Sequence, residues 1–295
     1  MVRFQKILCP VDFFPGSLRA LDYAVKLAKN YGAGIHALHV VSPVISGAYG
    51  TEISVASLTA AFQKDSIHQM AALKTKLKKS GVPIETEVLL GTIDVEIRRA
   101  IAKRKIDLVV VGTHGRRGVE RWVLGSVTER LMRHCTVPLL VTASDRHIRS
   151  APPAIRRILV TTDFSEGTAG TLKYAFSMAQ ECQAKITLLH IVDDVSVDLP
   201  YKLRESVIRG VRRKLEELLP SGVRDWCDIK TRIETGMPYR AILKILKSEK
   251  ADLLVMNVHG KSLLERALIG STAERVVRAA PCPVLLIPRG LRAGQ

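Results

Sequence analysis

Aromatic side chains are scarce, at 5% of the 295 residues, and only two of them are tryptophan. The five cysteines include no Cys-x-x-Cys spacing. An odd number without that spacing points away from a disulfide framework and from a thiolate zinc site, and fits a reducing compartment. No apolar run approaches the roughly 20 residues of a membrane-spanning helix. No Gly-x-x-x-x-Gly-Lys-Ser/Thr loop is present, which argues against a strong P-loop NTPase. A Ser-Gly-Gly-x-Asp-Ser loop, the mark of adenylate-using enzymes that release pyrophosphate, is also missing. Met1 to Lys6 run directly into a strand-like segment and lack the apolar stretch of a signal peptide, so a cytoplasmic location is expected.

Charge of one sign is in excess. The formal net charge is +17. Through Ser150 there are 22 Lys+Arg against 12 Asp+Glu, which leaves 23 (45 − 22) against 16 (28 − 12) for the rest. Such a surface attracts nucleic acid, anionic lipid or nucleotide phosphates. Solubility explains it as simply. No helix-turn-helix or RNA-binding signature accompanies the charge, so neither nucleic acid nor membrane is expected as a partner.

What the sequence does contain is one pattern written twice. Gly112-Thr113-His114-Gly115 is followed after nine residues by Gly125-Ser126, and Asn257-Val258-His259-Gly260 after nine residues by Gly270-Ser271. The likeness extends upstream. Lys6 to Phe13 answer to Arg157 to Phe164 at an offset of 163 − 12 = 151, and His114 answers to His259 at 259 − 114 = 145. The second copy is therefore six residues shorter between its second strand and Gly236. A period this long means two whole domains rather than a solenoid. Their expected limits are 1–144 and 155–290, joined by a linker from Ala143 to Ala154.

Apolar periodicity gives each copy alternating strands and helices. In the first copy the expected strands are Lys6–Val11, Ile35–Val41, Glu85–Leu90, Leu108–Val111 and Pro138–Val141. The expected helices start at Gly16, run from about Leu58 to Ser80 and from Asp94 to Arg104, and cover Ser126–Arg133. The first helix buries a stripe of Leu18, Leu21, Ala24, Val25 and Ala28 and ends at the glycines 32 and 34. The second copy is expected to repeat this order. Alternation of this kind implies a parallel, doubly wound α/β sheet with ligands beyond the carboxyl ends of its strands.

The candidate site residues lie at those ends. Asp12 and Asp163 close the first strands, where a carboxylate accepts from ribose hydroxyls or an adenine amino group. An Asx turn is the alternative role. Val40 and Ile191 follow a histidine in the second strands and offer backbone to an adenine edge. Gly112 and Gly115 suit unusual backbone angles and close ligand approach. Gly125-Ser126 and Gly270-Ser271 open helices, whose free N–H groups attract phosphate, with a serine N-cap as the alternative. Arg116, Arg117 and Arg121 add cations in the first copy, and Lys261 and Arg266 in the second. His114 and His259 lack an evident carboxylate partner for acid–base work, and His39 and His190 read as satisfied buried groups.

This arrangement resembles the universal stress protein family in its tandem form, over nearly all of the chain. The Gly-x-x-Gly, nine residues, Gly-Ser pattern is complete in the first copy, the strand-ending Asp stands in both, and Gly236-Met237-Pro238 meets the family's Gly-x-Pro. The resemblance implies five-stranded parallel sheets ordered 3-2-1-4-5. It also implies pairing of the two fifth strands, near Pro138 and Pro283, into an intramolecular pseudo-dimer. For ATP it implies Asp12, Val40, Gly112, Gly115, Gly125, Ser126 and Val127, and Asp163, Ile191, Gly260, Gly270, Ser271 and Thr272. Asn257 replaces a family glycine, Phe14 a common serine and Ile93 a common proline. The implied function is an ATP-binding protein, with or without Mg2+, that acts in stress response or signalling through bound nucleotide and hydrolyses it slowly at most. The alternative is an interaction or scaffold protein that kept the fold and lost the ligand. A homodimer of the tandem chain is compatible with either.

Overall fold

The computed structural model describes residues 2–43, 55–113, 124–142, 154–193, 201–258 and 270–291. The first half runs β1 (Lys6–Pro10), α1 (Pro15–Tyr31), β2 (Gly34–Val41), α2 (Val55–Leu77), β3 (Ile84–Leu90), α3 (Ile93–Arg104), β4 (Leu108–Gly112), α4 (Ser126–His134) and β5 (Leu139–Thr142). The second runs β6 (Arg157–Thr161), α5 (Thr168–Cys182), β7 (Lys185–Val192), α6 (Tyr201–Glu217), α7 (Val223–Trp226), β8 (Ile229–Thr235), α8 (Pro238–Ser248), β9 (Leu253–Asn257), α9 (Ser271–Ala279) and β10 (Val284–Ile287). The short turn α7 answers to a 3-10 turn at Lys78–Ser80 that follows α2 in the first half (223 − 78 = 145). The length change falls between the second and third strands, since Val192 − Val41 gives 151 and Ile229 − Ile84 gives 145. All but one of the expected linker residues lie outside the described residues.

Local chemistry sets the boundaries. Pro15 stands in the first turn of α1, where its missing N–H costs nothing. Gly32 ends that helix in the left-handed region at φ +65° and returns its N–H to the Ala28 carbonyl. The helix buries Leu21, Ala24, Leu27 and Ala28, while Leu18 and Val25 of the expected stripe are only half-buried.

The strands form one ten-stranded sheet in the order β3-β2-β1-β4-β5-β10-β9-β6-β7-β8. Each half is parallel in the expected order 3-2-1-4-5. The halves meet at an antiparallel seam, Val284 opposite Val141, Leu285 opposite Leu140 and Leu286 opposite Leu139. Successive strand residues face opposite layers. Ile7 and Cys9 belong to the layer that holds α1, α2, α5 and α6, and Leu8 to the layer that holds α3, α4, α8 and α9. Burial on both faces explains the unbroken Ile/Leu/Val runs. Beside the seam, the Phe4 ring stacks on Tyr174 at 5.9 Å, and Ser177 of α5 donates to the Val2 carbonyl.

The outer edges carry the same ion cluster with its signs reversed. On β3, Glu85 and Glu87 accept from Arg104 at 3.0 Å each, and His36 Nε2 lies 2.9 Å from Glu87. The equivalent positions are Lys230, Arg232 and Glu249 (230 − 85, 232 − 87 and 249 − 104 all give 145) and Thr187 (187 − 36 = 151). There Arg232 donates to Glu249 at 2.8 Å, Lys230 lies 3.1 Å away, and Thr187 donates at 2.7 Å. Charge on an exposed edge also blocks pairing with another sheet.

Arg104→Glu alone is expected to cost about 2 kcal/mol, because it leaves three carboxylates together with no guanidinium between them and only His36 beside them. Adding Glu85→Lys, Glu87→Arg and His36→Thr should restore most of that loss in urea unfolding. Burial, reinforced by Arg104, holds the His36 pKa below its ordinary value. The unfolded chain therefore takes up that proton first, and stability falls as pH drops below about 6.5. His36→Thr should flatten this slope, and an unchanged slope would contradict the assignment.

Candidate functional site

The winding reverses between β1 and β4. Strand β1 pairs with β2 on one side and with β4 on the other, Ile7 opposite Leu108 and Leu8 opposite Val109. The second half places β6 between β7 and β9 in the same way. Each reversal leaves a crevice at the carboxyl ends of the strands. Asp12 and the end of β4 share the first, and Asp163 and the end of β9 share the second.

Each aspartate is held in an Asx turn. The Phe14 N–H donates to Asp12 Oδ1 at 3.1 Å, and the Ser165 N–H donates to Asp163 Oδ1 at 3.0 Å. Ser17 Oγ also donates to Asp12 Oδ1 and receives the Asp12 N–H at 3.1 Å. Oδ2 of Asp12 has no hydrogen bond among the described residues. The turn therefore occupies one oxygen of the carboxylate and leaves the other unbonded among the described residues.

The residue after each aspartate is left-handed, Phe13 at φ +65° and Phe164 at φ +58°. A bulky residue in that region costs about 1–3 kcal/mol and persists only where its surroundings over-determine it. Here a histidine does so. His39 Nδ1 lies 2.6 Å from the Val11 carbonyl, and the Phe13 ring packs on the imidazole at 4.7 Å. His190 Nδ1 lies 2.8 Å from the Thr162 carbonyl, with Phe164 at 4.4 Å. A carbonyl partner puts a proton on Nδ1 in both rings. These histidines are the satisfied groups expected from the sequence, and they position the aspartates. The doubled Asp-Phe was the available signal for this device.

Helix α4 is pinned to the crevice floor, with the Gly125 N–H donating to the Thr113 carbonyl at 2.8 Å and Thr128 Oγ1 to the Gly112 carbonyl at 2.7 Å. Gly125 is the N-cap and Ser126 the first helical residue, so the serine is not the cap. The first intrahelical bond runs from Glu129 N to the Gly125 carbonyl. The N–H groups of Ser126, Val127 and Thr128 precede it and take no helical partner. Gly270 likewise caps α9, with Glu274 N the first bonded group, which leaves the N–H groups of Ser271, Thr272 and Ala273. Neither Ser126 nor Ser271 has a side-chain partner among the described residues. Val40 is buried in the β2 ladder, and Ile191 is half-buried in β7.

The ends of β4 and β9 correct two expectations. Neither Gly112 nor Asn257 has a positive φ, so backbone freedom is not what the position demands. A Cβ on Gly112 would meet the Gly16 carbonyl oxygen at 2.7 Å, so the space it would take belongs to the start of α1 rather than to a ribose or phosphate. The equivalent pair is Asn257 and Gly167 (167 − 16 = 151). The Asn257 side chain lies against Gly167, where a Cβ would come within 2.9 Å of its amide. Its Oδ1 accepts from Thr171, and its Nδ2 donates to Ser165 Oγ at 3.3 Å. The first half has Ala20 and Phe14 at those positions (171 − 151 and 165 − 151). The asparagine is therefore a clamp with two co-varying partners, and the first half has nothing equivalent. Phe14 is 39% exposed beside the first crevice.

Gly115, Arg116, Arg117, Arg121, His114, His259, Gly260, Lys261 and Arg266 lie outside the described residues. Burial holds the Cys135 thiol at about 11 and Cys282 at about 12, and pushes Cys9 up further. None of these is a thiolate nucleophile near neutral pH. Among the described residues no group of His, Cys, Asp or Glu is placed to hold a metal ion.

The fold defines a tandem, doubly wound α/β protein with a strand reversal in each half. The sequence profile of the universal stress protein family matches residues 3–143 and again 154–288. The chain belongs to that family. A universal stress protein of Mycolicibacterium smegmatis is 27% identical over 300 residues, covering 95% of this chain and 96% of its own length. One from Methanocaldococcus jannaschii is 33% identical over 148 residues, covering 48% of this chain and 87% of its own. The crystal structure of a universal stress protein from Archaeoglobus fulgidus superposes with a TM-score of 0.69 at 23% identity, covering 98% of each chain, which shows the shared fold.

Gly112→Ala is expected to destabilise the chain by about 2–3 kcal/mol, because the clash is with backbone that cannot rotate away. Asn257→Gly should cost about 1–2 kcal/mol for the stranded Thr171 and Ser165 hydroxyls. Urea unfolding of the full chain checks both, and a neutral Gly112→Ala would contradict the close approach.

Proposed function

We propose that the chain binds ATP in the crevice of the first half and acts in stress response through the bound nucleotide. The observation that carries this reading is the placement at one strand reversal of Asp12 Oδ2, the first-turn N–H groups of α4 and the Ser126 hydroxyl, none of which is bonded among the described residues. Asp12 accepts from the ribose or adenine, and Val40 offers its backbone to the base. Gly125, Ser126 and Val127 receive the phosphates, with Gly115 and Arg116 closing over them. Mg2+ would be held chiefly by the phosphates. No described side chain is positioned as a general base, so hydrolysis is slow at most. We take 1–144 and 155–290 as the two units and the cytoplasm as their location.

The second crevice supports a different reading. Asn257, Thr171 and Ser165 bond to one another where the first half leaves the β4 end bare. This clamp favours an interaction or scaffold role for the second half, although it retains Asp163, Ile191, Gly260, Gly270, Ser271 and Thr272.

Calorimetric titration of the full chain with ATP tests the assignment. Asp12→Ala is expected to weaken binding at least tenfold, and Asp163→Ala to leave it within twofold. Equal losses, or no heat with the unaltered chain, would sink the proposal.

A further inference from the structure

The helix junctions beside the two crevices differ by one negative charge. In the first half α3 meets α4 through Asp94. Arg130 Nη1 donates to its Oδ1 at 3.0 Å, and Arg98 Nη2 lies 3.6 Å from its Oδ2. The carboxylate side chain is only 15% exposed, held between two guanidiniums. The equivalent of Asp94 is Tyr239 (239 − 94 = 145), and the equivalent of Arg130 is Arg275 (275 − 130 = 145). Leu243 stands in place of Arg98, and Arg240 in place of Val95. The second junction thus keeps two guanidiniums and loses the carboxylate.

Arg240 Nε donates to Tyr239 Oη at 3.0 Å, and the Arg275 guanidinium lies over the same ring at 5.0 Å from its centroid. Among the described residues neither arginine has a carboxylate partner. The Arg240 hydrogen bond, with the charges of both arginines, holds the phenol below its ordinary pKa. A neutral phenol leaves two cations against one side chain, with no counter-charge among the described residues.

We propose that the α8–α9 junction is an anion site for a phosphate group, with Arg240 and Arg275 as its cationic ligands and the Tyr239 hydroxyl as a third donor. The first half supplies the template, since its Asp94 carboxylate occupies the same place between two guanidiniums on the same helices. A phosphate suits the second junction better than a carboxylate does. Its oxygens point to tetrahedral corners and meet two planar forks and a hydroxyl from different sides, whereas carboxylate oxygens share one plane. Tyr239 also lies in the first turn of α8, where the helix dipole favours added negative charge. The site belongs to the second half and does not depend on ATP in the first crevice.

Thermal melting of the full chain in inorganic phosphate, AMP or acetate, at matched ionic strength, tests the site. Phosphate at ten times its Kd is expected to raise Tm by about 3 °C, and acetate to leave it unchanged. A larger effect of AMP than of inorganic phosphate identifies a nucleotide as the source of the group, and the reverse identifies the free anion. Tyr239→Asp copies the first half. It should melt higher without added anion and lose the phosphate response. Arg275→Leu should lose that response as well. Both variants keep ATP binding at the first crevice, which separates failure here from failure of the ATP assignment. An equal phosphate response in the unaltered chain and in Tyr239→Asp, an equal response to acetate, or none at all overturns the proposal.

Discussion

Parallel strands wound outward from β1 and β4 carry their crossover helices away in opposite directions, and the carboxyl ends between them stay uncovered. That gap is a consequence of right-handed crossovers in a 3-2-1-4-5 sheet. The candidate site features gather at it: Asp12 ends one wall, α4 starts on the other, and Gly112 approaches Gly16 too closely for a Cβ between them. The antiparallel pairing of β5 with β10 then repeats the gap in one continuous sheet.

Because the unit is duplicated, each half is a control for the other. The sheet edge needs a partly buried ion cluster, and either sign satisfies it, as Glu87 with Arg104 and Arg232 with Glu249 show. The helices on either side of the fourth strand of each half share a polar contact, Asp94 with Arg130 and Tyr239 with Arg275. The fourth strand must approach the first helix, either bare at Gly112 or filled and bonded at Asn257. The histidine that braces a left-handed phenylalanine, by contrast, is the same in both halves. The shared device marks what the fold requires of the aspartate, and the differences mark where the halves are free to diverge.

The strand order and the seam were legible through the family resemblance, and buried Ile/Leu/Val runs leave little ambiguity about a parallel sheet. The Asp12 and Gly125-Ser126 positions were legible as spacing. The reason for Gly112 was not, since its constraint comes from Gly16, 112 − 16 = 96 residues away, and a glycine invites a local explanation first. The left-handed Phe13 was hidden for the opposite reason, because an aromatic residue carries no local signal for that geometry. Asn257 looked like a lost glycine until Thr171 and Ser165 were seen to hold its amide. The turn α7 is too short, at four residues, to show a helical period.

The central proposal is that the first of two similar crevices binds nucleotide and the second, whose β9 end is clamped to its neighbours through Asn257, does not. Its most direct test is the amount of adenine nucleotide released when the purified, nucleotide-saturated chain is denatured after removal of free ligand. The account predicts about one ATP per chain, falling to none with Asp12→Ala. Two per chain, or one that survives Asp12→Ala and is lost with Asp163→Ala, would contradict it.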